Sequence, residues 1–211
     1  MRATTAALAL GALLAPGVGQ AEISLSFYSG LQSVDGTRLD AGSLGSSDPD
    51  WAGRSLSAPP YWGARATWWA DEAWGFAVEV NHAKAYARNR AEAGYDTLEF
   101  TDGLNFATVN AFRRWQEPGR RWWPYVGAGV GLAMPHVEVT PAGGRDTFEY
   151  QITGPVVQVV AGTTLGVSAR WRVFGEWKAS WSKHDIDLKD GDSLQTEFTT
   201  NAVNIGITYS F

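Results

Sequence analysis

Apolar and polar residues alternate with a period of two along the last stretch of the chain. Val203, Ile205, Ile207, Tyr209 and Phe211 fall on one face of an extended segment, and Asn204, Gly206, Thr208 and Ser210 on the other. Seven more extended segments precede it, at residues 23–31, 61–68, 74–81, 104–115, 126–134, 149–164 and 171–181. In the fifth, Val126, Ala128, Val130, Leu132 and Met134 oppose Gly127, Gly129, Gly131 and Ala133. One face is lipid-like and the other has almost no side chains, which predicts lumen space for long polar residues from neighbouring strands. In the seventh, Trp171, Val173, Gly175, Trp177, Ala179 and Trp181 oppose Arg172, Phe174, Glu176, Lys178 and Ser180. The two faces of the fourth are less distinct.

Between these strands the connections alternate in length. Short turns at 71–73, 116–121 and 165–170 contrast with polar segments at 33–58, 88–103, 141–146 and 185–199, which read as long loops. An even strand count, alternating connections and strands of about 9–11 residues predict an all-β, eight-stranded antiparallel transmembrane β-barrel. Its short turns face the periplasm and its long loops face outward. The tryptophans, 11 in all, then sort by height without having been used to find the strands. Trp68, Trp69, Trp74, Trp115, Trp122, Trp123 and Trp171 gather at the periplasmic rim with Tyr209 and Phe211, while Trp62 and Trp181 approach the outer rim, as interfacial girdles require.

Residues 1–21 read as a secretory signal peptide, with Arg2, an apolar core over 6–15 and Gly19-Gln20-Ala21 as the cleavage site; 22–211 is then the barrel. Loss of Arg2 with the leader takes the net charge from −5 to −6, which disfavours nucleic acid as a partner. The chain has no cysteine, so neither a disulfide scaffold nor a thiolate metal site is available. A monomer is expected, handed to the outer-membrane barrel assembly machinery through its C-terminal strand.

Strand parity points Arg65, Glu79, Arg172, Glu176 and Lys178 into the lumen, where a barrel this narrow predicts a buried ion-pair network. His82, His136 and His184 fall late in outward-running strands, near the outer surface. Parity puts the first two on the outward face and His184 inside, unless a bulge or strand end intervenes. The acids Asp96, Glu99, Asp102, Asp146 and the 185–192 group form a solvated surface or hold divalent cations that bridge to outer-leaflet phosphates; no EF-hand spacing is present.

Several stretches resemble the lipid A oxidase group of alphaproteobacterial outer-membrane proteins: Glu79-Val80-Asn81-His82-Ala83-Lys84-Ala85-Tyr86, Pro124 to Gly131, and Pro135-His136-Val137-Glu138-Val139. Phe148-Glu149-Tyr150-Gln151, Gly154-Pro155, Phe174-Gly175-Glu176-Trp177-Lys178 and 200–204 add to it. The resemblance implies oxygen-dependent conversion of the proximal glucosamine of lipid A to an aminogluconate unit at the outer leaflet, with lipid A or lipopolysaccharide as the partner. Chemistry and position select His82, His136, Glu138 and Glu149 as bases or metal ligands. Dioxygen chemistry without a flavin or nucleotide motif calls for a divalent metal or a separate redox partner. Two other readings stay open: a non-catalytic structural or adhesion barrel, and a lipid A deacylase built on Ser180 or Ser182 beside His184.

Overall fold

The computed structural model describes residues 21–100 and 102–211; Met1 to Gln20, and with them nearly all of the expected leader, lie outside the described residues. Eight long strands follow one another round a sheet: β1 (Glu22–Gly36), β2 (Trp62–Trp69), β3 (Trp74–His82), β4 (Phe106–Arg114), β5 (Trp122–Ala133), β6 (Gly154–Gly166), β7 (Trp171–Asp187) and β8 (Ser193–Ser210). Each pairs antiparallel with its neighbours in the chain, and β8 returns to β1 with Leu25 opposite Tyr209 and Leu31 opposite Val203. The Phe211 amide donates to the Ile23 carbonyl at 3.0 Å and completes the seam. Closure removes every free edge from the wall, so the backbone is hydrogen-bonded without water.

The wall is apolar outside and polar inside. Leu25, Phe27, Phe76, Val78, Val109, Val130, Val157, Val203, Ile205 and Ile207 are all exposed, Ile205 at 73%. A belt of that breadth is stable only against hydrocarbon. Trp68, Trp74, Trp115, Trp122 and Trp171 stand exposed around its lower margin. Trp69 and Trp123, expected with them, turn inward instead and stack on Arg114 and Arg172, at 3.7 and 4.9 Å. Each follows an outward tryptophan by one residue, so parity sends it to the lumen. At the β2–β3 turn the Asp71 carboxylate accepts the Ala73 and Trp74 amides at 2.7 and 2.6 Å, and these bonds hold its pKa below the usual carboxylate range.

The lumen face is packed by rings laid on directly opposed glycines. Tyr28 covers Gly63 and Phe112 covers Gly127. The room expected beside the β5 glycines is therefore filled by the Phe112 ring and, at Gly129, by the Asn110 amide. A Cβ at Gly63 would fall inside the Tyr28 ring. Gly63→Ala is expected to displace that ring and lower stability by about 1–3 kcal/mol in urea unfolding from micelles. An unchanged midpoint would show that the ring is not held there.

Above the membrane the structure departs from the expected loops. Five short strands, Thr147–Tyr150, His136–Pro141, Tyr95–Phe100, Ala85–Ala87 and Trp51–Ala52, pair in that order into a second sheet. The segment expected as one strand at 149–164 divides accordingly, its first residues joining this upper sheet. The 185–199 region is a continuation of the β7–β8 hairpin, paired as far as Asp187 and Ser193. One face of the upper sheet carries Trp51, Ala85, Leu98, Phe100, Val137 and Val139, all buried against Leu39, Ile186, Leu194 and Phe198. The apolar core thus sits above the barrel, like the core of a small soluble domain, while the barrel interior is polar.

Candidate functional site

Two polar clusters are built by different parts of this architecture. The first lies in the lumen. Pairing of β2 with β3 sets Arg65 opposite Glu79, and the Arg65 Nε donates to Glu79 Oε2 at 2.6 Å. Its two terminal nitrogens form a fork on Glu176, both at 3.0 Å. Lys178 donates to Glu79 and to the Tyr28 hydroxyl, and Tyr28 donates to Glu79 at 2.6 Å. Tyr125 and Asn204 complete Glu176 at 2.7 and 3.2 Å. Four of the five lumen residues therefore meet in one buried group. Arg172 stands apart at the periplasmic mouth, where it and Arg114 hold Glu22 at 2.5 and 3.1 Å. Both central carboxylates are surrounded by N–H and O–H donors, which suits a plug.

The second cluster lies at the outer rim. His136 and Glu138 are two apart on a strand, so both project from the face of the upper sheet turned away from its core. Register then sets Glu99 directly opposite Glu138. The turn after Phe100 brings up Asp102. His136 Nδ1 lies 3.2 Å from Glu138 Oε1 and 3.7 Å from Asp102 Oδ2. One ligand atom from each of these three residues lies within 4.8 Å of the other two, a spacing that can hold a cation. The other edges of the imidazole meet Phe148 and Tyr150, with ring centroids at 4.4 and 4.6 Å. Both aromatics are themselves exposed, and Met134 and Ile152 lie beside Tyr150 directly above the apolar wall at Leu132.

The remaining selected residues do not converge here. His82 keeps the outward face of its register partner Trp62, which stacks on it at 6.2 Å, but it is buried beneath that ring and the turn at Gly103 and Asn105. Its Nδ1 bonds Asn105 Oδ1 at 2.9 Å, and Asn105 in turn donates to the Asp102 carbonyl, so His82 reaches the site only through that turn. His136 is buried as well, under the rings of Phe148 and Tyr150. Glu149 points to the other face of its sheet and pairs with Lys189 at 2.5 Å, a bond that lowers its pKa. His184 is fully buried, with hydroxyls of Thr153 and Ser182 at 2.8 Å on its two nitrogens. That Ser–His contact is sealed in the upper core and the second nitrogen meets a hydroxyl instead of a carboxylate, which is not a hydrolase arrangement. Asp102 and Glu99 were legible only as loop acids. The one pattern that pointed to this site is the His136-x-Glu138 spacing, which puts two ligating groups on one strand face.

No protein-family model matches the chain, and no curated protein matches it. Solved structures do. The outer membrane protein AlkL in DMPC bilayers is similar over 100% of this chain and 97% of its own, with 17% identity and a TM-score of 0.55. Neisserial surface protein A is similar over 90% and 97%, with 14% identity and a TM-score of 0.52. The fold is that of an outer-membrane β-barrel. With the apolar belt and polar lumen, this places the chain in the cell outer membrane, the upper sheet outside and the β2–β3 turn in the periplasm. Likeness at these identities concerns the fold alone.

Proposed function

We propose that this outer-membrane barrel acts on lipid A in the outer leaflet, oxidising the proximal glucosamine to an aminogluconate unit at the expense of dioxygen. The supporting observation is the place of the rim cluster. His136, Glu138 and Asp102 gather beside exposed Phe148 and Tyr150, immediately above the lipid-facing wall, where a sugar headgroup anchored by acyl chains would lie. The resemblance of the 79–86 and 135–139 stretches supplies the reaction class. In this reading Glu138 or Asp102 takes the proton of the anomeric hydroxyl, the C1 hydrogen and its electron pair pass to dioxygen, which leaves as hydrogen peroxide, and water opens the resulting lactone to the aminogluconate. His136 orients the acceptor carboxylate, and the two aromatics seat the apolar flank of the sugar.

Mass spectrometry of lipid A from cells with and without the protein, grown in air, tests this. Gain of one oxygen atom on the disaccharide is expected, falling about 100-fold or more with His136→Ala and remaining with Glu149→Gln. Loss of a whole acyl chain would instead indicate a deacylase. Unchanged lipid A would leave a structural or adhesion barrel, a reading favoured by the plugged lumen and the compact upper sheet.

A further inference from the structure

We propose that Asp102, His136 and Glu138 bind one first-row divalent metal ion of the manganese, iron or zinc type. The assignment stands on geometry and does not depend on the lipid A reading. Ligands bound about 2.0–2.2 Å from such an ion lie roughly 3.0–3.5 Å from one another. His136 Nδ1 is already 3.2 Å from Glu138 and 3.7 Å from Asp102. The Asp102 side chain is 48% exposed, so it can close the small remaining gap, whereas His136 at 8% is fixed by the two rings packed on it. An imidazole held rigidly with one nitrogen aimed between two carboxylates is how a ligand is presented, and it is an independent observation beside the acids themselves.

Ligand chemistry narrows the ion. One imidazole nitrogen with carboxylate oxygens, in a chain without cysteine, selects manganese, iron or zinc over calcium and magnesium, which prefer oxygen alone.

The test uses the full barrel in detergent micelles, stripped with EDTA and titrated with Mn²⁺ under electron paramagnetic resonance, with Zn²⁺ as competitor and Ca²⁺ as control. One Mn²⁺ per barrel is expected, displaced by Zn²⁺ and not by equimolar Ca²⁺, with spin-echo modulation from a histidine nitrogen. Affinity should fall at least about tenfold in His136→Ala and in Glu138→Gln, and stay unchanged in Glu149→Gln. Absence of nitrogen modulation in the wild-type protein overturns the assignment even if a variant fails to fold. Preference for Ca²⁺, or equal affinity in His136→Ala, overturns it too. Mn²⁺ bound while lipid A stays unmodified would keep the metal site and remove the oxidase reading. Lipid A oxidised by a barrel that binds no ion would do the reverse.

Discussion

Arg65→Met is expected to destabilise the barrel by about 3–5 kcal/mol in urea unfolding from micelles, the largest effect of any single change considered. Arg65 is the only side chain that bonds both Glu79 and Glu176 among the described residues, and all three are buried. Methionine fills much of the same volume, so the loss is electrostatic. Glu79 keeps Lys178 and Tyr28, but Glu176 is left with two neutral donors, Tyr125 and Asn204. A buried carboxylate in that state costs far more than the intact fork contributes on balance. The double variant Arg65→Met with Glu176→Gln should therefore recover a large share of the loss, a coupling that a double-mutant cycle reads directly. Strictly additive single effects would mean that the fork is not the source. The exposed pair of Arg88 and Asp50, with side chains 62% and 57% accessible, should yield under about 1 kcal/mol when broken.

Acidification should loosen the upper sheet through His184. β7 leaves the membrane near Trp181, so His184 stands in the region above it, packed against Phe100 and Phe198 with ring centroids at 6.3 and 5.1 Å. Burial alone pushes its pKa down from 6.5 to about 3. The unfolded chain then binds more protons than the folded one between those limits. The stabilising contribution is complete above pH 6.5 and is lost as the pH falls towards 3, by up to about 1.4 kcal/mol per pH unit. Trp51, which meets Phe198 edge-on at 4.8 Å, offers a fluorescence reporter of that core. His184→Leu removes the titrating group and should flatten the pH response between 6 and 4. The same slope in wild type and variant would assign acid sensitivity to other groups.

The barrel was legible in the sequence because a membrane wall imposes one unbroken rule. Every second residue of β5, β7 and β8 must face hydrocarbon, and turns fall where the rule stops. The chain above the membrane obeys the same period over spans too short to stand out. Leu98 and Phe100 alternate with Thr97 and Glu99, and Ile186 and Leu188 alternate with Asp185 and Asp187. Their outward acids give the composition of a loop, while their inward residues build a core. Asp102 was visible only as one of several loop acids able to hold a divalent cation, since a turn residue has no face until the strands on either side are placed. His136 and Glu138 were visible as a pair, and parity set His136 on the face turned away from the core, where it lies; its burial was not legible because the covering rings of Phe148 and Tyr150 belong to another strand.

Cross-lumen contacts are made at three heights along the barrel axis: two polar groups, Glu22 with Arg114 and Arg172 at the bottom and Arg65 with its two carboxylates at mid-height, and the apolar core beneath the upper sheet at the top. Like hoops on a cask, each ties together staves that are distant in sequence. Radial swelling of the wall must break at least one of them, so the girth of the barrel is set from within as well as by its strand count.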